Sequence, residues 1–187
     1  MHRISFGLSV REVQAAIKEI EAYQNDLNRK CEELCRRLTE EGIQIAQAHI
    51  GGSGFGKYIH LDSEIKAEKT GCKAIFYIED KSKIESKWKS IDKQGNEITK
   101  ETVLSPTLLL EFGSGSNAEN KSDTPGVGQG TFPGPTHAFD KSGWWYKDMN
   151  DEWHYSTGVP PRMPMYYVDK ELRGKVVAIA RKVCFVG

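Results

Sequence analysis

A chain of 187 residues with 38% hydrophobic and 28% charged side chains can form one domain, residues 1–187, but has little apolar material to spare for its core. Lys+Arg and Asp+Glu both number 26, so the formal net charge is zero. That balance argues against a dedicated nucleic-acid binder, whose affinity comes from neutralising phosphates, and leaves copies little mutual repulsion.

No segment approaches the roughly 18 consecutive apolar residues of a membrane span, and the opening MHRISFGLSV has neither an apolar run nor a small-residue cleavage site. Neither a span nor a secretion signal is expected. Residues 8–41 carry apolar or small residues at Val13, Ile17, Ile20, Leu27, Cys31, Leu34 and Leu38, with Gln24 as a polar break. Steps of three and four predict one striped helix of about 50 Å. Ser9 is its expected N-cap with Glu12 as capping-box partner, and Gly42 its expected C′ residue. The stripe faces either this chain's own sheet or another subunit.

HIGGSGFGKYIH (residues 49–60) follows, and Gly51, Gly56 and Lys57 have the spacing of a phosphate-binding loop. Its context is reversed, with a helix before it and a strand after it, and Tyr58 stands where the magnesium-binding hydroxyl belongs. The glycines are expected to be a helix-to-strand connection. KYIHLDSEI (57–65) and CKAIFYIED (72–80) read as strands. The charged stretch from Lys81 to Lys100 reads as a hairpin excursion or exposed insertion turning at Gln94-Gly95-Asn96. TVLSPTLLLEF is expected to be an apolar strand ending at Phe112 and broken at Pro106.

Within LLLEFGSGS, Glu111 at a strand end has the type of a general base, but no partner acid, nucleophile or metal is evident near it. The structural alternative is that Phe112 anchors the element while Gly113 and Gly115 permit a sharp exit, with Glu111 capping loop N–H groups or pairing with an arginine. Gly113 to Gly143 is a long glycine- and proline-rich loop. GWWYKDMNDEWHYST is then an aromatic two-stranded ribbon turning near Asn150-Asp151, GVPPRMP a rigid connector, and Met165 to Val183 a second amphipathic helix.

Trp144, Trp145, Tyr146, Trp153 and Tyr155, with Phe132 and Phe139 in the loop, are candidate interface residues, and such a cluster equally fills a core; a sugar platform or stacked bases are its other uses. His137 and His154, with Asp140 and Asp148 near in sequence, are expected to be ordinary histidines rather than a metal pair. Cys31 and Cys35 are one helical turn apart while Cys72 and Cys184 are isolated, and all four are expected as reduced thiols; a zinc site from Cys31, Cys35 and two histidines matches no zinc module.

The order of these pieces resembles the tail-component or neck proteins of long-tailed bacteriophages and prophages. The resemblance rests on Glu111-Phe112-Gly113-Ser114-Gly115 and on the run from Gly158 through Pro160, Pro161 and Pro164 to Met165, and spans roughly Phe6 to Phe185. Ser114 stands where threonine is common, and the Lys81–Lys100 stretch is an addition.

The resemblance implies a non-enzymatic virion component at the head–tail junction, made in the host cytoplasm. It would form a ring of copies, expected to be a hexamer, around the DNA passage without sequence-specific binding. Adjacent connector and tail proteins are the expected partners, with no cofactor and no membrane. The fold expected is α+β: a mainly antiparallel sheet of about four strands packed by the first and last helices. A tail-terminator ring, a particle-borne wall hydrolase and a free sugar-binding module are the alternatives.

Overall fold

The computed structural model describes residues 7, 9–68, 71–114 and 143–185. It has an α+β fold. In chain order the elements are α1 (Val10–Ile50), β1 (Ile59–Glu68), β2 (Gly71–Asp80), β3 (Ile84–Ile91), β4 (Glu97–Leu104), α2 (Pro106–Phe112), β5 (Trp144–Lys147), β6 (Trp153–Ser156) and α3 (Pro164–Phe185). β1 and β2 form a two-stranded antiparallel sheet; the other four strands form a sheet of order β4-β3-β5-β6, antiparallel throughout. The chain divides into two compact units: residues 1–41, 63–76 and 172–187 make the first, and 42–62 and 77–171 the second.

The start of α1 is fixed locally, as expected. The Ser9 hydroxyl accepts from the Glu12 N–H at 3.3 Å while the Glu12 carboxylate accepts from the Ser9 N–H at 3.3 Å. The end of α1 differs from expectation: the helix runs through Gly42 to Ile50. Ile45, Ala46 and Ile50 are buried, and their burial outweighs the roughly 1 kcal/mol that a mid-helix glycine costs against alanine. The helix stops at Gly51-Gly52 instead. Gly51 N–H reaches the Gln47 carbonyl at 2.9 Å, and Gly52 takes a left-handed φ of 77°. One 3-10 turn, Gly56–Tyr58, leads into β1, so the glycine loop is the helix-to-strand connection the sequence suggests.

The second unit holds the main core: Ile84, Leu104, Leu109, Leu110, Trp144, Val159 and Val168 join Ile45, Ala46, Phe55, Tyr58 and Ile59. β3 pairs with β4 from Ile84↔Leu104 to Ile91↔Glu97 and with β5 at Ser86↔Tyr146 and Lys87↔Trp145. The charged Lys81–Lys100 stretch is therefore no outlying insertion, because β3 is an interior strand of the sheet. Its hairpin turns where expected. The Asp92 carboxylate accepts from the Gln94 and Asn96 N–H groups at 2.9 and 2.8 Å, and Gly95 supplies a φ of 88°.

A second correction concerns Pro106 to Phe112, expected as a strand and found as α2. Ser105 is its N-cap, its hydroxyl accepting from the Leu108 N–H at 3.3 Å, and Pro106 occupies the first turn, where its missing N–H costs nothing. Leucine favours helix, and Leu109 and Leu110 are both buried at consecutive positions. The Asp80 carboxylate also holds Thr107 N–H at 2.9 Å.

In the first unit the residues of α1 from Val10 to Leu27 pack little. Ile17, Ile20, Tyr23 and Leu27 are each about half exposed, and Val10 more so. Among the described residues of that unit, Ala16 and Val183 are the apolar side chains that become buried.

Candidate functional site

The residues singled out in the sequence sort into a structural clasp and an aromatic sheet. The clasp joins α2 to the start of α3 across the Gly158–Met163 connector. Glu111, at the end of α2, turns its carboxylate onto the first turn of α3. One oxygen accepts from the Met165 N–H at 2.9 Å and the other from the Tyr166 N–H at 3.1 Å. These are donors that α3 cannot satisfy itself, and the negative charge sits at the positive end of the helix. The Leu110 carbonyl accepts from Arg162 and Met163 N–H at 2.7 and 3.1 Å.

Gly113 and Ser114 then run beside the connector. Ser114 N–H donates to the Val159 carbonyl at 2.8 Å, and Val159 N–H reaches the Ser114 hydroxyl at 3.0 Å. Ser114 is fully buried. Glu111 thus caps a helix, rather than a loop or an arginine, and both its oxygens are occupied by backbone.

Burial pushes the Glu111 carboxyl above its ordinary range, and the bonds from Met165 and Tyr166 offset this only in part. The raised folded-state value means that this group's favourable contribution is fully present below the ordinary carboxylate pKa and is lost as pH rises through the folded value. Glu111→Gln should remove that pH dependence in urea melts between pH 4 and 7. Glu111→Ala should cost about 2 kcal/mol at neutral pH, because two part-buried N–H groups at the start of α3 lose their acceptor.

The β5–β6 ribbon divides its aromatics by strand alternation. Trp144 is 0% exposed and lies on the inner face, within 5.6 Å of the Tyr146 ring, which packs 5.2 Å from Phe55. Of the two uses the sequence allows it, core packing or interface, Trp144 therefore takes the first. Gly143, at φ 85°, leaves no room for a Cβ beside Tyr155. The outer face carries Trp145, 43% exposed, against Tyr155, 52% exposed, with ring centroids 5.3 Å apart. Trp153 receives the Lys87 ammonium 4.0 Å from its centroid. An open cleft of about 420 Å³ beside it is lined by Glu85, Ser86, Glu101, Thr102, Val103 and Trp153. Gly115, Phe132, Phe139, His137 and Asp140, and most of the Gly113–Gly143 loop, lie outside the described residues.

Asp148, Glu152 and His154 meet at the turn of the ribbon, each with a ligand atom within 4.8 Å of the others; of the described residues, these are the ones placed to hold a cation. The sequence placed His154 and Asp148 together only by proximity, and the structure brings Nε2 and Oδ2 to 3.2 Å. The Asp148 carboxylate is already engaged as a turn acceptor from Asn150 and Glu152 N–H at 2.8 and 3.1 Å, and the Glu152 bond is the largest influence holding its pKa low. The turn is complete with these bonds alone.

Comparison with known protein families, curated proteins and solved structures gives no match.

Proposed function

We propose that this chain is a structural component of the head–tail junction of a long-tailed bacteriophage, a neck or tail-completion protein whose copies form a sixfold ring around the DNA passage. The observation that carries this reading is the clasp. The two sequence motifs on which the resemblance rests, Glu111–Gly115 and Gly158–Met165, lie more than forty residues apart, yet Glu111 and Ser114 hydrogen-bond the second motif directly and Gly113 packs closely against it. Two motifs that work as one device make a chance resemblance of either less credible.

Exposed apolar surface supports the same reading. One apolar patch is the α1 stripe of the first unit, Val10 to Leu27; another is Trp145 with Tyr155 on the second. Two unlike patches on one chain suit a heterologous contact, which closes into a ring when the rotation between copies closes. Zero net charge removes long-range repulsion between copies.

Electron microscopy of particles made without this chain tests the proposal. Tails of normal length unattached to filled capsids are the expected product. Tails of abnormal length would assign it instead to a tail-terminator ring, and intact infectious particles would reject both.

A further inference from the structure

The apolar positions of α1 keep a stricter repeat than a core-facing helix needs. From Val10 to Leu38 the steps alternate between three and four without a slip. In heptad terms Val10, Ile17, Gln24, Cys31 and Leu38 take the a positions, and Val13, Ile20, Leu27 and Leu34 the d positions. A helix lying on its own core repeats every 3.6 residues and widens its stripe with apolar e or g positions. Here the e positions carry Gln14, Glu21 and Asn28, so the seam stays narrow. A seven-residue repeat held over about four heptads follows a second helix winding around the first. The structure leaves the first half of this seam open. Val10, Ile17, Ile20 and Leu27 are exposed, while Cys31, Leu34 and Leu38 are half-buried. Ion pairs from Asp26 to Arg29 and Lys30, at 2.8 and 2.9 Å, lie beside the seam and leave it clear.

We propose that this seam pairs with α1 of a second copy of the chain, parallel and in register, as a short coiled coil with Gln24 as its polar layer. The pairing does not rest on the function proposed above, although neighbours in a cyclic ring also run parallel.

Composition and charge select both the occupant and its direction. Valine or isoleucine at a with leucine at d favours two strands, and Val10 and Ile17 at a with Leu27 and Leu34 at d follow that pattern. In a parallel pair Gln24 meets the partner's Gln24, and each side-chain amide offers the other a donor and an acceptor. An antiparallel pair overlapped over the same span would set Gln24 against the partner's Ile20 and Glu21 against the partner's Glu21. The first leaves a polar group in an apolar layer and the second opposes like charges. The parallel pair has no such conflict. Its g-to-e neighbours are Ala16 with the partner's Glu21, Tyr23 with the partner's Asn28, and Lys30 with the partner's Cys35.

Sedimentation of the full chain from about 1 to 200 µM tests the pairing, and concentration-dependent self-association is expected. Ile17→Asp should weaken it by at least about tenfold, because it puts a charge into an apolar layer. Gln24→Leu should tighten it by about tenfold, since a buried polar layer fixes register at a cost in stability. A general lesion in the helix would not give that opposite sign. Direction is read by treating Val10→Cys with a short bis-maleimide and mapping linked peptides by mass spectrometry. Position 10 joined to position 10 of a second chain is the expected product. Position 10 joined to Cys31 or Cys35 would mean an antiparallel pair and overturn the proposal. So would a chain that stays monomeric throughout, or a Gln24→Leu chain that associates no more tightly. The Gln24→Leu and cross-linking results decide the matter even if Ile17→Asp folds poorly. Pairing through α1 in a chain absent from phage particles would keep this inference and remove the function proposed above.

Discussion

Gly113→Ala is expected to destabilise the chain by at least about 3 kcal/mol, lowering its melting temperature by roughly 6–12 °C. Two independent costs add at this position. Gly113 sits at φ 75° and ψ −175°, a region essentially closed to residues with a Cβ. A Cβ built there would also stand 2.7 Å from the Val159 carbonyl oxygen and 2.8 Å from Pro161 Cδ.

Neither neighbour yields easily. Val159 is pinned by its bonds to Ser114, and the Pro161 ring is rigid. The strain therefore passes into the connector and on to Glu111's hold on α3. Gly54→Ala, where the added methyl meets nothing within 4 Å, is the matched control and should change stability by less than about 0.5 kcal/mol. A melt in which both variants behave alike would mean that the clasp does not have the close approach described.

Trp144→Ala should cost about 3–5 kcal/mol, the range for emptying a buried aromatic site. Its ring is fully enclosed on the inner face of the β3–β5–β6 sheet, and Tyr146 and Phe55 would lose a packing partner directly or in sequence. Trp145→Ala, one residue on, should cost about 1 kcal/mol or less, since the loss there is chiefly the contact with Tyr155. If the function proposed above holds, the same Trp145 substitution should nevertheless prevent heads and tails from joining, because it would remove apolar surface available to a neighbouring copy. Urea melts of both variants, set beside particle yields, separate the two roles. Normal particle yield with Trp145→Ala would remove that residue from the interface.

Local signals were legible in the sequence, and long-range ones were not. The Ser9–Glu12 capping box, the Asp92–Asn96 turn and the strand pattern of the aromatic ribbon all depend on residues a few positions apart, and each takes the expected form. The ribbon was legible as a ribbon, but which of its aromatics face inward depends on Phe55 and Tyr58 arriving from the distant glycine loop.

Gly42 reads as a helix stop until Ile45 and Ala46 are seen to be buried, which is a tertiary effect. Leu108–Leu110 is a short apolar run, for which periodicity does not separate strand from helix. The Ser105-Pro106 pair, a cap followed by a proline in the first turn, was the available signal for α2. Glu111 could be recognised as important, but its true partners, Met165 and Tyr166, are supplied only by the fold.

The central claim is that copies of this chain complete one another as a ring where capsid meets tail. Electron cryomicroscopy of intact particles tests it most directly. The account predicts a closed ring of repeated copies at that junction, with the Val10–Leu27 stripe and the Trp145–Tyr155 face covered by neighbouring chains. A particle whose junction lacks the chain, or in which both surfaces remain bare to solvent, would contradict it.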